Sequence, residues 1–402
     1  MIAPPTDTNV FDVVVVGGGP AGATAAHELA TQGRRVLLLD RAGRTKPCGG
    51  AVPPQLLVDF TIPKSLLVAR IKSARMISPK SSSVDIPVGD GFVGMVDRDV
   101  FDAWLRQRAV EAGAELRVGA FVGLVRETDD TVSLRYTDGR SRSGVVRTVR
   151  ARYVVGADGA LSQVARQCVP GASKMKFVFA YHEIVKSPER PSDAFEGTRC
   201  DVYYQGEVSP DFYGWVFPHG ATTSIGTGSL QKGFALKDAV STLRASTGLD
   251  GLETIRREGA PIPLEPLKRW DDGRNVVLAG DAAGVVAPAS GEGIFYAMTG
   301  GRMAAHAVEL ALVTGNAKAL ASARRRFMRA HAPVFFILGI MQRFWYRSDS
   351  RRERFVAICR DVDVQRLTFD AYMSKRLVRA KPFSHLRIFV TNIAHLAGLA
   401  PA

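Results

Sequence analysis

Hydrophobic positions come first as a short β-branched run. Phe11-Asp-Val-Val-Val-Val16 has the pattern of a parallel strand buried on both faces. Ala23 to Thr31 then has helical composition, with Gly33 placed to cap it. Arg35-Val-Leu-Leu-Leu-Asp40 is a second apolar strand, so the first forty residues predict a βαβ unit. A Gly/Pro-rich loop is expected over 41–54, and mixed strand-like runs to about 96. Arg98 to Ala112 reads as a helix with Val100, Phe101, Trp104 and Leu105 on one face. Short alternating strands fill 115–150, and Arg152-Tyr-Val-Val155 returns to the buried-strand pattern. Residues 174–230 are strand-rich and aromatic. Asn275-Val-Val-Leu-Ala279 is a further apolar strand, followed by a helix-like segment to about 313, and 316–402 read as helical throughout.

Strand-rich blocks thus interrupt α/β blocks. The pattern predicts an α/β protein, α+β overall, with a Rossmann-like domain assembled from 10–54, 91–168 and 270–315. A β-rich substrate domain from 55–90 and 169–269 is threaded between those pieces, and 316–402 form a helical C-terminal region. No repeat of 20–50 residues and no low-complexity segment interrupts this reading.

Composition narrows the class. A chain of 402 residues, 46% hydrophobic and 23% charged, is neither disordered, collagenous nor coiled coil. At this length roughly 75% of the unfolded surface is buried, so no disulfide staple is required. The four cysteines, Cys48, Cys168, Cys200 and Cys359, form no C-x-x-C pair. A disulfide framework and a cysteine metal site are therefore not expected, and a reducing cytosolic setting fits. Met1 to Val10 lacks a basic n-region and a long apolar run, so no signal peptide is expected.

Candidate chemistry starts between the first strand and helix. Gly17-x-Gly19-x-x-Gly22 sits at that junction, with Pro20 and Ala21 inside it, and Asp40 ends the second strand with Arg41 beside it. This context is the dinucleotide fingerprint. Gly17 serves the tight turn, Gly19 the approach of backbone to a pyrophosphate, and Gly22 close helix–strand packing. Asp40 can accept hydrogen bonds from ribose hydroxyls. The motif alone does not separate NAD(P) from FAD. Two distant segments repeat the theme of carboxylate and glycine after an apolar strand. They are Val155-Gly-Ala-Asp158-Gly159 and Leu278-Ala-Gly280-Asp281-Ala-Ala283, the latter followed by Pro288-Ala-Ser-Gly291-Glu-Gly293. Asp281 is placed to hold a ribityl hydroxyl, and the N–H groups of Gly291 to Ile294 to face a flavin pyrimidine edge.

In this order the segments resemble the p-hydroxybenzoate-hydroxylase-like flavoprotein superfamily, over about 10–50, 96–166 and 270–315. The resemblance implies bound FAD, with Asp158 and Gly280 in its site and Arg98 at its phosphates or ribose. Two further stretches are more particular: Lys46-Pro-Cys48-Gly49-Gly50, and Tyr213-Gly-Trp-Val-Phe-Pro218 followed after seven residues by Gly226-Thr-Gly228. With Ser290-Gly-Glu-Gly-Ile294, they are similar to the geranylgeranyl reductase family, nearest its chlorophyll and bacteriochlorophyll branch. That resemblance implies NADPH as reductant and conversion of a geranylgeranyl chain, free diphosphate or pigment ester, to phytyl. It also places Cys48, Gly49 and Gly50 near the flavin. Other readings are an aromatic monooxygenase or lipid prenyl reductase of the same superfamily, and a non-redox FAD-bound scaffold.

An isolated trisubstituted alkene has no carbonyl to accept electrons, so hydride attack alone would build an unstabilised carbanion. Proton transfer giving tertiary carbocation character, with hydride arriving from reduced flavin, is the better order. Tyr213, Trp215 and Phe217 alternate along a strand and share a face, and such rings stabilise a desolvated cation by ~2 kcal/mol. The acid is open among Cys48, His219 and Glu292; a cysteine thiol is mostly protonated at neutral pH.

The position of the charge along the chain matters more than its sum. Of the net +14, residues 321–402 hold 16 Arg and Lys against 5 Asp and Glu, a net of +11, leaving +3 for the other 320. Pro333 to Tyr346 is apolar nearly all round, between Arg324, Arg325, Arg326, Arg329 and Arg343, Arg347, Arg351, Arg352, Arg354. The run near Ala332–Met341 is too short to span a bilayer. Basic flanks around an apolar, aromatic helix suit an anionic membrane surface. No nucleic-acid module accompanies the arginines, so nucleic acid is not expected as a partner. The expected location is cytoplasmic, peripheral on the photosynthetic membrane.

Overall fold

The computed structural model describes residues 10–41, 43, 46–89, 91–140, 144–366 and 375. The expectations for Met1–Asn9 and for the helical continuation over 367–402, Lys375 apart, lie outside the described residues. Helices follow in chain order as α1 (Pro20–Thr31), α2 (Pro54–Asp59), α3 (Arg98–Glu111), α4 (Gln163–Cys168), α5 (Leu236–Ser246), α6 (Ile294–Thr314), α7 (Ser322–Trp345) and α8 (Asp349–Ile358).

Strand Val10–Val16 lies between Val36–Asp40 and Val146–Gly156, both parallel to it, and the latter also pairs in parallel with Val276–Leu278. Their central stretches Val13–Val16, Val36–Leu39, Tyr153–Gly156 and Val276–Leu278 are buried, as continuous Val/Leu runs require. Their register sets Val16 beside Leu39 and Gly156, and Gly156 beside Leu278. Three loops far apart in sequence therefore leave the sheet at one edge. Glu115–Arg126 and Val146–Gly156 are longer than expected, at 12 and 11 residues. Beyond the parallel part both pair antiparallel with Val132–Asp138.

A seven-stranded sheet runs in the order Thr254–Pro263, Phe177–Lys186, Thr222–Ser229, Gly214–His219, Arg199–Tyr203, Ser73–Ile77, Ser83–Pro87. Leu67–Ile71 does not join it; it forms a small third sheet with Val93–Val96 and Ala51–Val52. The segment after Val276–Leu278 is not helical at once: a 3-10 turn and a glycine-rich loop precede α6.

On α3 the buried face is Arg98, Phe101, Asp102, Leu105 and Ala109. Val100, expected on that face, is 56% exposed. The ion pair of Arg98 with Asp102 takes the inward position instead. Helices α7 and α8 pack into the core. Phe327 and Phe335 of α7 pack on Tyr296, and Trp345, Phe355 and Ile358 join the cluster around Tyr204 and Tyr213. Fully buried Arg352 bonds to the carbonyls of Pro210 and Tyr346 and to Asp349, fastening α8 to the seven-stranded sheet's loop.

The first turn is governed by contact distance. Gly17 has φ of 103°, and a Cβ on Gly22 would stand 1.8 Å from the Gly17 carbonyl oxygen. At Gly19, with φ of −76°, a Cβ would meet no protein atom within 4 Å. Gly22→Ala is therefore expected to lower folding stability by about 1–3 kcal/mol. Gly19→Ala should stay within about 0.5 kcal/mol of the parent. Urea unfolding of both variants separates them, and equal losses would contradict the packing argument.

Candidate active site

The loops at the parallel edge enclose a cavity of about 500 Å³ lined by Gly17, Gly19, Pro20, Ala21, Asp40, Arg41, Arg98, Asp158 and Asp281. The N-terminus of α1 opens onto it with no side-chain cap at Gly19, which leaves backbone N–H groups for an anion. Gly22 packs against Gly17 and Ala157 instead of lining the cavity. Asp40 ends its strand beside the cavity, its Oδ1 accepting the Arg41 N–H at 2.9 Å and its Oδ2 lying 3.4 Å from Arg106. Asp281 is buried on its 3-10 turn and paired with Lys46 from the 46–50 loop. Gly280 supports that turn with φ of 64° but is not itself part of the cavity wall. Arg98 is buried and bonded to both oxygens of Asp102, at 2.8 and 2.7 Å. This pair outweighs the cost of burial and holds the guanidinium charged.

Asp158 lies in the cavity wall and also caps a helix. Its carboxylate accepts from Ser162 Oγ at 2.5 Å and from the N–H groups of Gln163 and Val164 at 2.7 and 3.3 Å. The side chain thus fixes the start of α4. Burial still pushes its pKa above the ordinary carboxyl value, against these bonds.

A second cavity of about 920 Å³ lies between the seven-stranded sheet and helices α7 and α8. Its wall is nearly all apolar: Met76, Ile86 and Val202 on the sheet side, Leu338, Met341, Trp345 and Ile358 on the helix side, with Ile71 of the small third sheet beside them. Tyr213, Trp215 and Phe217 share one face and line it, with neighbouring ring centroids 6.0 and 6.2 Å apart. The Tyr213 hydroxyl donates to the Ser290 carbonyl at 2.6 Å, and burial pushes its pKa well up, so the phenol stays protonated. Trp215 Nε1 donates to Ser224 Oγ at 3.1 Å.

The two cavities meet. Cys48, Gly49, Trp215, Ile262, Gly291, Gly293 and Ile294 line both, and Gly50 lines the apolar one. At this seam a ring held from the polar side would face the apolar side. Cys48 Sγ is approached by the Gly50 N–H at 3.4 Å. Two candidate acids are placed otherwise than expected. His219 lines neither cavity; its nitrogens lie 3.1 Å from Asp97 Oδ1 and 3.1 Å from the Gly49 carbonyl, so it clamps the Cys48 loop. Glu292 does line the apolar cavity, but its Oε2 is 2.7 Å from Lys375 Nζ, so it is half of an ion pair. Sequence reasoning missed Lys375, which lies 83 residues away, and also Asp102 and Arg106, which no motif marks. It missed His182 too, which lines the polar cavity between Ser224 and Glu258 at 2.9 and 3.1 Å. An i, i+4 Arg98–Asp102 spacing on an inward helix face was the one available signal. Among the described residues no group of three or more His, Cys, Asp or Glu side chains is placed to hold a metal ion.

Comparison with known proteins agrees with this geometry. Residues 82–329 match the FAD binding domain family, and residues 12–70 match the FAD dependent oxidoreductase family. The chain is 55% identical to geranylgeranyl diphosphate reductase of Rhodobacter capsulatus, over 97% of this chain and 98% of that one. It is 38% identical to the chloroplastic geranylgeranyl diphosphate reductase of rice, over 96% of this chain and 86% of that one. In fold it is similar to a geranylgeranyl bacteriochlorophyll reductase-like protein of Thermoplasma acidophilum, with a TM-score of 0.79 and 22% identity over 94% of this chain and 96% of that one. A glycine-cradled polar cavity meeting an apolar one, together with identity over almost the whole length, makes the chain a member of the FAD-binding geranylgeranyl reductase family.

Proposed function

We propose that this protein uses NADPH to reduce the double bonds of a geranylgeranyl chain, as the diphosphate or as a pigment ester, and so forms the phytyl chain of bacteriochlorophyll or chlorophyll. The observation that carries the reading is the seam: one set of residues walls both a dinucleotide cavity and a large apolar cavity. A volume of about 920 Å³ lies at the upper end of the ~300–1,000 Å³ usual for ligand pockets. An apolar wall of that extent suits a long hydrocarbon better than a polar aromatic acid. Relatives named digeranylgeranylglycerophospholipid reductase match less of this chain, 78% in the Methanocella arvoryzae protein at 32% identity, which favours the diphosphate or pigment branch.

The residues present fit FAD. A Cβ at Gly19 would project into the polar cavity instead of meeting protein, and Arg41 and the α1 N-terminus offer positive potential there. Asp40 and Asp281 would bond its hydroxyls, and Gly291, Gly293 and Ile294, before and at the start of the 21-residue α6, would face its ring. FAD supplies two-electron hydride chemistry when bound. The chain's own contribution is to exclude water, orient the alkene and stabilise positive charge on it. Tyr213, Trp215 and Phe217 present electron-rich faces, and Cys48 and Gly49 bound the place where alkene and cofactor meet.

Helix α7 supports the membrane part of the reading. Phe336 and Ile340 point outward, 70 and 50% exposed, and Arg343 beside them is also exposed. Among the described residues no helix is long and apolar enough to cross a membrane. This apolar patch with basic neighbours fits the surface of an anionic bilayer that dissolves the substrate.

Three outcomes are expected. With FAD and NADPH, geranylgeranyl diphosphate or geranylgeranylated pigment should gain mass in steps of two hydrogens; oxygen incorporation or no gain on either would contradict the reading. Phe217→Leu, at a ring that lines only the apolar cavity, should keep FAD and its reduction by NADPH but slow alkene turnover about 30-fold, the equivalent of ~2 kcal/mol of cation stabilisation. In flotation assays the holoenzyme should rise with anionic but not neutral liposomes; equal recovery on both would remove the membrane proposal.

A further inference from the structure

One pair of charges stands in the wall of the apolar cavity. Lys375 Nζ lies 2.7 Å from Glu292 Oε2, with the two side chains 3% and 5% exposed. Burying an ion pair is costly, and well-packed apolar residues in its place are often as stable. Packing alone therefore gives no reason for charge here. The pair is also held firmly. Glu292 Oε1 accepts the Phe295 N–H at 3.1 Å, which fixes the carboxylate at the start of α6. The Lys375 ammonium sits 5.8 Å from the ring centroids of both Phe295 and Tyr296. Lys375 has φ of 56°, a left-handed conformation uncommon for a side-chain-bearing residue. Glu292 lies between Gly291 and Gly293, which line both cavities, so the pair stands at the cofactor end of the apolar space. Burial pushes the Lys375 pKa below its ordinary value, with Glu292 opposing, which makes the ammonium a readier proton donor. The alternatives are less well placed: the Tyr213 proton is engaged by Ser290, and His219 lies off the cavity.

We propose that Lys375, oriented by Glu292, donates the proton in alkene reduction. The inference rests on the prenyl-reductase reading above. In the step, one N–H bond of the ammonium breaks, and the π electrons of the alkene form a C–H bond to that proton. The other alkene carbon receives hydride from the reduced flavin, whose two electrons come from NADPH. The alkene is reduced by two electrons and the flavin oxidised by two. Lys375 is left as a neutral amine beside the Glu292 carboxylate and regains its proton from water as product leaves.

The test uses full-length holoenzyme with Lys375→Arg and the neutral double variant Lys375→Met/Glu292→Gln. Arginine keeps the charge and the pairing but does not release a proton at physiological pH. For both variants four quantities are read: apoprotein unfolding temperature, FAD dissociation constant, rate of flavin reduction by NADPH, and anaerobic flavin reoxidation by geranylgeranyl diphosphate. The expected result is that the first three stay near wild type while reoxidation slows at least about 100-fold in both, the usual loss of a general acid. Recovery of reoxidation in Lys375→Arg would show a structural ion pair and overturn the proposal. So would normal reoxidation in the double variant, or loss of reoxidation in Cys48→Ala alone. Wild-type enzyme inert toward every prenyl substrate would sink the reductase reading itself. Active wild type with an active arginine variant sinks only the assignment of Lys375.

Discussion

The Ala287–Gly293 loop is the constraint on which the site depends. It must be irregular backbone, because it bounds two cavities of opposite character, and Ala287, Pro288, Ala289 and Glu292 in it are buried. Buried irregular backbone survives only if its polar groups find partners. Here the Ala287 N–H donates to the Glu292 carbonyl at 2.9 Å and the Gly291 N–H to the Ala287 carbonyl at 3.0 Å. Tyr213 bonds the Ser290 carbonyl, while Gln342 and Tyr346, in and just after α7, bond the two ends of Ala289. Ala289 is left-handed, with φ of 63°, a strain of about 1–3 kcal/mol that persists only where the surroundings over-determine it. Strand, helix and loop thus fix one another, and the aromatic face of the large sheet is set against the edge of the parallel sheet.

How much of this was legible follows from what each residue does locally. The parallel strands, α1 and the glycine loops were readable because continuous Val/Leu runs and tight turns have few alternatives. The Tyr213–Trp215–Phe217 face was readable because strand periodicity is strict. Pairings made across the fold were not readable. Lys375 with Glu292, Arg106 with Asp40 and Lys46 with Asp281 join segments tens to hundreds of residues apart, with no local pattern to announce them. Asp158 shows the opposite difficulty: its place at the strand end was right, but the free N–H groups of α4 compete for its carboxylate. Val100 failed because a helical wheel counts apolar residues and cannot foresee that an Arg–Asp pair will turn inward.

The basic excess also changes meaning in three dimensions. Helices α7 and α8, which carry part of it, are built into the core, with Arg352 buried under Tyr346 and Pro210 and α8 forming one wall of the apolar cavity. The same helix α7 that closes the cavity through Leu338 and Met341 turns Phe336 and Ile340 outward. Under the proposed function, one element would serve both as cavity wall and as membrane contact, a short route for a substrate dissolved in lipid.

The central claim is that an alkene chain in the apolar cavity meets the flavin at the seam. The most direct measurement is anaerobic stopped-flow mixing of NADPH-reduced, desalted holoenzyme with geranylgeranyl diphosphate, followed at the oxidised-flavin absorbance. The expected result is recovery of that absorbance at a substrate-dependent rate, with one flavin reoxidised for each double bond reduced. Flavin that stays reduced with every prenyl substrate, yet reoxidises at once in oxygen, would contradict it.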